Sequence, residues 1–163
     1  MESMEVKKTS FSDVERMDME YIHAKAKEEL SHLAGHSVLL IGAGGFLGYY
    51  FVLSIVSWND THKKKIRLTA LSTFRRGVPP WMKQYIGRSD FRILKKDIAR
   101  YTIPKTDVYE YIIHGASIAS PIVYRQYPLE TMEANVKGLY TVTDYMVARK
   151  KTKSPVKGLL YFS

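Results

Sequence analysis

A chain of 163 residues is long enough for one domain with a sizeable core and short for two. Apolar residues at 45%, aromatics at 12% and charged residues at 25% fit a globular chain and exclude disorder, collagen-like repeats and low-complexity polymers. The absence of cysteine excludes a disulfide scaffold, an iron–sulfur cluster, a thiolate zinc site and a cysteine nucleophile, and makes a reducing cytoplasm the expected setting.

The formal net charge of +9 is unevenly spread: residues 1–60 hold 5 basic and 9 acidic side chains, and residues 61–163 hold 20 and 7. The excess, which includes Lys63, Lys64, Lys65, Lys150, Lys151 and Lys153, suits polyanions such as nucleic acid or nucleotide phosphates. A solvated basic surface is the plainer reading, because these residues fall in loops between apolar runs and no aromatic-interleaved nucleic-acid motif accompanies them. No nucleic-acid partner is expected.

The opening residues are polar and carry no signal-peptide pattern. Ser12 and Glu15 have capping-box spacing, and Ile22, Ala26, Leu30 and Leu33 then recur at helical intervals until Gly35. Residues 1–35 therefore read as a leader with an amphipathic helix, and residues 36–163 as the main domain. His32 and His36 are four apart, but Gly35 separates them and no glutamate completes a metalloprotease motif, so no metal site is expected.

No Asp, Glu, Lys or Arg occurs over residues 31–59, and the stretch 37–58 is long enough to cross a bilayer as a helix. Gly44 and Gly48 even have the spacing of packed membrane helices. Gly42, Gly44, Gly45 and Gly48 would burden such a helix by about 1 kcal/mol each relative to alanine. The run divides better into a strand at 38–41, a turn at 42–45 and a buried helix at 46–58, so no membrane span is expected. Further strands are predicted at 66–71, 91–94, 109–114 and 158–162. Pro128 suits a first helical position, and Met132, Val136, Leu139, Val142 and Met146 mark one face of a long helix. Apolar strands alternating with helices predict an α/β fold: a Rossmann-type, doubly wound parallel sheet in the order 3-2-1-4-5, with helices on both faces.

Gly42, Gly45 and Gly48 stand at GxxGxxG spacing directly after the first strand and at the start of a helix. In that context Gly42 permits a tight turn, Gly45 lets the backbone approach a pyrophosphate, and Gly48 lets the helix pack closely on the strand. The helix N-terminus supplies free N–H groups and a positive dipole end for the phosphates. Strands one and four are neighbours at the switch point of such a sheet, so the loop starting Gly115-Ala116-Ser117 flanks the same crevice. His114 reads as a satisfied residue at a strand end.

Five blocks stand in order along the chain: Gly42 to Gly48, Asp97-Ile98, His114-Gly115-Ala116-Ser117, Asn135-Val136-Lys137-Gly138 and Leu160-Tyr161-Phe162-Ser163. Together, from about Val38 onward, they resemble the extended short-chain dehydrogenase/reductase family, especially its nucleotide-sugar epimerases, dehydratases and decarboxylases. The resemblance implies NAD as cofactor, a nucleotide sugar as substrate, a homodimer in the complete enzyme, and a domain cut short after its fifth strand. It implies that Gly45, Phe46 and Leu47 contact the cofactor diphosphate, Asp97 and Ile98 the adenine, and Gly115, Ala116 and Ser117 the nicotinamide side. Asn135 matches the helix asparagine of the family pattern, and Ser72 and Thr73 close the second strand on the adenosine side.

Ser72 departs from the pattern, because an acidic residue usually accepts the ribose hydroxyls there. Arg75 and Arg76 nearby suit the 2′-phosphate of NADP, or belong to a solvated loop. Glu133 resembles the dehydratases, whereas Ala116 to Pro121 with Tyr124 and Pro128 resembles the decarboxylases, and the two signals conflict. By resemblance the catalytic serine or threonine, tyrosine and lysine would follow Ser163, so no catalytic residue is assigned. Tyr21 and Lys25 have the right spacing, but 12 tyrosines and 16 lysines make about one such pair expected by chance. The expected function is the cofactor-binding part of an NAD(P)-dependent epimerase, dehydratase or decarboxylase that oxidises a nucleotide-bound sugar by hydride transfer. The alternative is a non-catalytic NAD(P)-binding sensor or interaction module of the same fold.

Overall fold

The computed structural model describes residues 12–118 and 120–162; Ala119 and Ser163, which belong to the motifs above, lie outside the described residues. The strands are Ser37–Ile41 (β1), Arg67–Ser72 (β2), Phe91–Lys95 (β3), Tyr111–His114 (β4) and Gly158–Tyr161 (β5). Every pairing is parallel, and the order is β3-β2-β1-β4-β5, as predicted. β1 lies at the centre and is buried along its whole length.

Alternate residues of this sheet feed two cores, because successive strand side chains point to opposite faces. Val38, Leu40, Leu68, Ala70 and Ile113 enter one core, and Leu39, Ile41, Leu71 and Ile112 the other. Helix Phe46–Thr61 (we number it α3) supplies Val52, Leu53, Ile55 and Val56 to the first. Helix Pro128–Arg149 (α6) supplies Val142 and Tyr145 to the second, which completes a sheet covered on both faces.

The leader splits into Asp13–Lys25 (α1) and Lys27–Leu33 (α2) instead of forming one helix. The break falls at Ala26, whose φ of −106° and ψ of 23° leave the helical region, with no proline or glycine to announce it. The capping box forms as read: Ser12 N–H donates to the Glu15 carboxylate at 2.8 Å, and Glu15 N–H donates to Ser12 Oγ at 3.3 Å. Met19 and Leu30 join the first core, and His23 Nε2 lies 3.0 Å from the Ser54 carbonyl and 3.1 Å from Ser57 Oγ on α3. The leader thus contributes to the core that α3 shares with the sheet.

Two further expectations need correction, and two short helices were not foreseen. β4 begins at Tyr111, not at residue 109, because the Tyr109 N–H donates to the Tyr145 hydroxyl at 3.0 Å and so leaves the strand ladder. The buried face of α6 runs through Gly138, Val142, Tyr145 and Arg149, whereas Met132 and Val136 of the predicted stripe are exposed. Two short helices, Pro80–Lys83 (α4) and Pro121–Gln126 (α5), were not legible by periodicity; each opens with proline at a first-turn position. Among the described residues no helix is long and apolar enough to cross a membrane.

Candidate functional site: a cleft at the switch point

The carboxyl ends of β1 to β4 are joined by backbone hydrogen bonds. Gly42 and Ala43 N–H groups donate to the Leu71 carbonyl at 2.9 and 3.1 Å, Lys96 N–H to Ser72 at 3.0 Å, and Gly115 N–H to Ile41 at 2.8 Å. Above these ends opens a cleft of about 340 Å³, as expected where the connections leaving β1 and β4 diverge to opposite faces.

The glycine turn forms its floor. Gly42 has a φ of +92°, and a Cβ there would lie 2.7 Å from the Gly115 carbonyl and the Ala116 nitrogen. This glycine therefore serves two needs, the left-handed turn and the close approach of the loop that follows β4. A Cβ at Gly48 would lie 2.4 Å from the Gly42 carbonyl oxygen, so α3 seats directly on the turn. Gly45 is the N-cap of α3 and no side chain caps that end, which leaves first-turn N–H groups open to an anion.

Ten of the residues expected at the site line this cleft: Gly42, Gly45, Ser72, Thr73, Arg75, Asp97, Ile98, Gly115, Ala116 and Ser117. Five do not. Phe46 and Leu47 are exposed at the start of α3, Gly48 is buried beneath the turn, and Arg76 is exposed outside the lining. Asn135 stands behind the wall, where its Nδ2 donates to Ser117 Oγ at 3.0 Å and to the Thr131 carbonyl at 2.8 Å. It thereby ties α6 to the loop after β4. Tyr21 is exposed on α1 and takes no part in the lining.

The structure adds Lys96, Arg100 and Glu130 to the lining, along with Glu133. Register carries the signal for Lys96: Ser72 pairs with Lys95, which sets the following lysine beside the end of β2. Glu133 is ion-paired with Lys137, which holds its carboxyl below the usual range. Asp97 Oδ1 accepts the Ala99 N–H at 3.1 Å and shapes the turn that presents Ile98. Phe74 adopts a left-handed φ of 43° and is buried beside Gly44, so the loop that carries Thr73 and Arg75 is anchored under the glycine turn. Holding a bulky residue there costs on the order of 1 kcal/mol or more, which the buried ring offsets.

A protein-family model described as "NAD dependent epimerase/dehydratase family" matches residues 38–163. The chain belongs to the NAD dependent epimerase/dehydratase family. It is 27% identical over 101 residues to UDP-glucuronic acid decarboxylase 5 of Arabidopsis thaliana; the matched stretch is 62% of this chain and 27% of that protein. Among solved structures, this family member is similar to WbmF of Bordetella bronchiseptica in complex with NAD+, with a TM-score of 0.58 and 16% identity over 80% of this chain and 36% of that one. It is also similar to a UDP-N-acetylglucosamine 4-epimerase of Methanobrevibacter ruminantium in complex with UDP-N-acetylmuramic acid, with a TM-score of 0.53 and 19% identity over 76% of this chain and 36% of that one. The chain thus spans about a quarter to a third of the length of these proteins.

His114, the last residue of β4, directly precedes Gly115 of the cleft lining and differs from its expected state. It is fully buried, and neither ring nitrogen has a hydrogen-bond partner among the described residues. A Cβ at Gly138 would lie 2.6 Å from its Nε2, so the glycine of the Asn135-to-Gly138 motif makes room for this ring. Burial holds the His114 pKa below the ordinary histidine value. The unfolded chain therefore binds more protons than the folded one below about pH 6.5. The fold is expected to keep its full stability above that pH and to lose some progressively as pH falls toward the lowered folded-state pKa. In His114→Leu, unfolding midpoints measured between about pH 5 and pH 7 should show a shallower slope; an unchanged slope would assign the pH dependence to other groups.

Proposed function

We propose that this chain forms the cofactor-binding part of an enzyme that oxidises a nucleotide-bound sugar, with NAD as the acceptor of hydride. The observation that carries the reading is the convergence of three loops on one cleft: the glycine turn after β1, the Asp97-Ile98 turn after β3, and Gly115 to Ser117 after β4. The residues present fit a dinucleotide, because the uncapped N-terminus of α3 offers N–H donors to a diphosphate and no side chain stands at Gly45 to keep it away. Gly45, Phe46 and Leu47 hold the diphosphate through the backbone, Asp97 and Ile98 border the adenine, and Gly115, Ala116 and Ser117 leave room for the nicotinamide end. Asn135 keeps that last loop in place through Ser117. Membership of the family supports the reaction class.

Titration calorimetry of the 163-residue chain tests the reading. NAD is expected to bind at one site, and at a hundred times its Kd to raise the free energy of unfolding by about 2.7 kcal/mol. A chain that binds neither NAD nor NADP would overturn it.

A further inference from the structure

Six exposed lysines, Lys63, Lys64, Lys105, Lys150, Lys151 and Lys153, belong to three segments far apart in the chain, which lead into β2, β4 and β5. The fold gathers these segments at one end, because in a parallel sheet the connections enter every strand at its amino end, opposite the cleft. Main-chain bonds tie them to the start of β1 and to one another: the Gly35 N–H donates to the Lys65 carbonyl at 2.8 Å, Glu110 N–H to Ser37 at 2.9 Å and Lys157 N–H to Glu110 at 2.6 Å. Arg149, buried at the end of α6, clamps two of the lysine-bearing segments, since its guanidinium donates to the Lys105 carbonyl at 3.1 Å and to the Ser154 carbonyl at 2.8 Å. The carboxylates at this end are already matched. Asp60 and Asp90 are ion-paired with Arg88 at 2.7 and 2.8 Å, Asp107 with Arg92 at 3.1 Å, and Glu110 with Lys157 at 3.1 Å. None of the six lysines has a carboxylate within ion-pair distance among the described residues.

We propose that this basic end is a docking face for an anionic phospholipid surface, with the cleft directed away from the bilayer. The inference is independent of the dinucleotide reading of the cleft. β2 and β5 are three strand spacings apart, about 14 Å, so the unmatched charges form a broad field in place of a single-ligand pocket. A lipid surface answers such a field with phosphates and carboxylates spread over a plane, and flexible lysines reach them as point charges with no fixed geometry. Nucleic acid fits less well. The aromatic rings of the neighbouring segments, Trp58, Tyr109 and Tyr145, are buried and leave no platform on which bases could stack. Arg88 and Arg92, whose planar groups suit phosphodiesters best, are committed to carboxylates.

Co-sedimentation of the 163-residue chain with vesicles tests the proposal, using phosphatidylcholine alone and an equal mixture of phosphatidylcholine and phosphatidylserine. The chain is expected to bind the anionic vesicles and not the neutral ones, and to be released as ionic strength rises from about 0.1 M to about 1 M, over which the screening length falls from about 10 Å to about 3 Å. A lysine near an anionic surface is worth about fivefold in affinity, so Lys150→Ala, Lys151→Ala and Lys153→Ala combined should weaken binding by at least tenfold. Lys63→Ala with Lys64→Ala, on a different segment, should weaken it as well. Unfolding midpoints should stay at the parent value in both variants, because the side chains removed are exposed. Equal binding to the two vesicle types, binding to neither, or combined variants that bind like the parent would overturn the proposal. So would a preference for a duplex RNA oligomer over anionic vesicles at matched anionic charge, which assigns the face to nucleic acid.

Discussion

Gly48→Ala is expected to destabilise the chain by about 2 kcal/mol or more, even though the position is helical and alanine is the better helix former. The propensity gain is about 1 kcal/mol. Against it stands a Cβ placed 2.4 Å from the Gly42 carbonyl oxygen and 2.7 Å from the Ala43 backbone. Those are main-chain atoms, which cannot rotate away, so the overpacking cost falls at or above the upper end of the usual range of about 1–3 kcal/mol. Gly42→Ala should cost at least as much, since it combines a left-handed φ of +92° with overlap against Gly115 and Ala116. Gly77→Ala separates the two effects: its φ is +85°, but nothing lies within 4 Å of the added carbon, so only the conformational cost of about 1–2 kcal/mol applies. Denaturant midpoints with their slopes give all three values. A Gly48→Ala chain as stable as the parent would mean that α3 does not seat on the glycine turn.

The same contacts show why much of the fold was legible in the sequence. The strand at 38–41 is an apolar run because the centre of a parallel sheet is covered on both faces, and a run of that kind needs no partner to identify it. The glycine turn was legible because three separate steric demands fall on three glycines at fixed spacing. What periodicity missed depends on tertiary neighbours. α6 turns Met132 and Val136 outward and Gly138 inward, since the ring of His114 sits where a side chain at 138 would go. The ring itself was expected to be satisfied, and only the packing shows both nitrogens without a described partner.

At the site, the loops were legible and the individual cations were not. Arg75 and Arg76 are adjacent and equivalent by composition, yet the turn around Phe74 sends only the first to the cleft wall. Lys96 belongs to a basic pair that reads as loop surface until strand register sets it beside Ser72. A pattern along one segment cannot anticipate such pairings, because they join residues brought together by the order of the strands.

Gly45→Val is expected to leave the fold largely intact and to weaken dinucleotide binding by at least tenfold. Gly45 has a φ of −87° and a ψ of 179°, an extended conformation open to any residue, including a β-branched one. An added Cβ meets only the Gly42 carbonyl oxygen, at 3.3 Å, which a shift of a few tenths of an ångström relieves. The cost in stability should therefore stay well below that of Gly48→Ala. Binding is different, because Gly45 lines the cleft at the uncapped end of α3 and the valine methyl groups stand where a diphosphate must come within reach of the backbone N–H groups. Each hydrogen bond from those groups to a charged oxygen is worth about 1.5–3 kcal/mol, so losing one lowers affinity by about tenfold to a hundredfold. Calorimetry with NAD and NADP, paired with an unfolding midpoint for each variant, reads the two effects separately. Gly45→Ala serves as the graded case, with a smaller obstruction and an intermediate affinity. Parent-like affinity in Gly45→Val, with the fold preserved, would show that the turn serves packing alone and that no pyrophosphate approaches it.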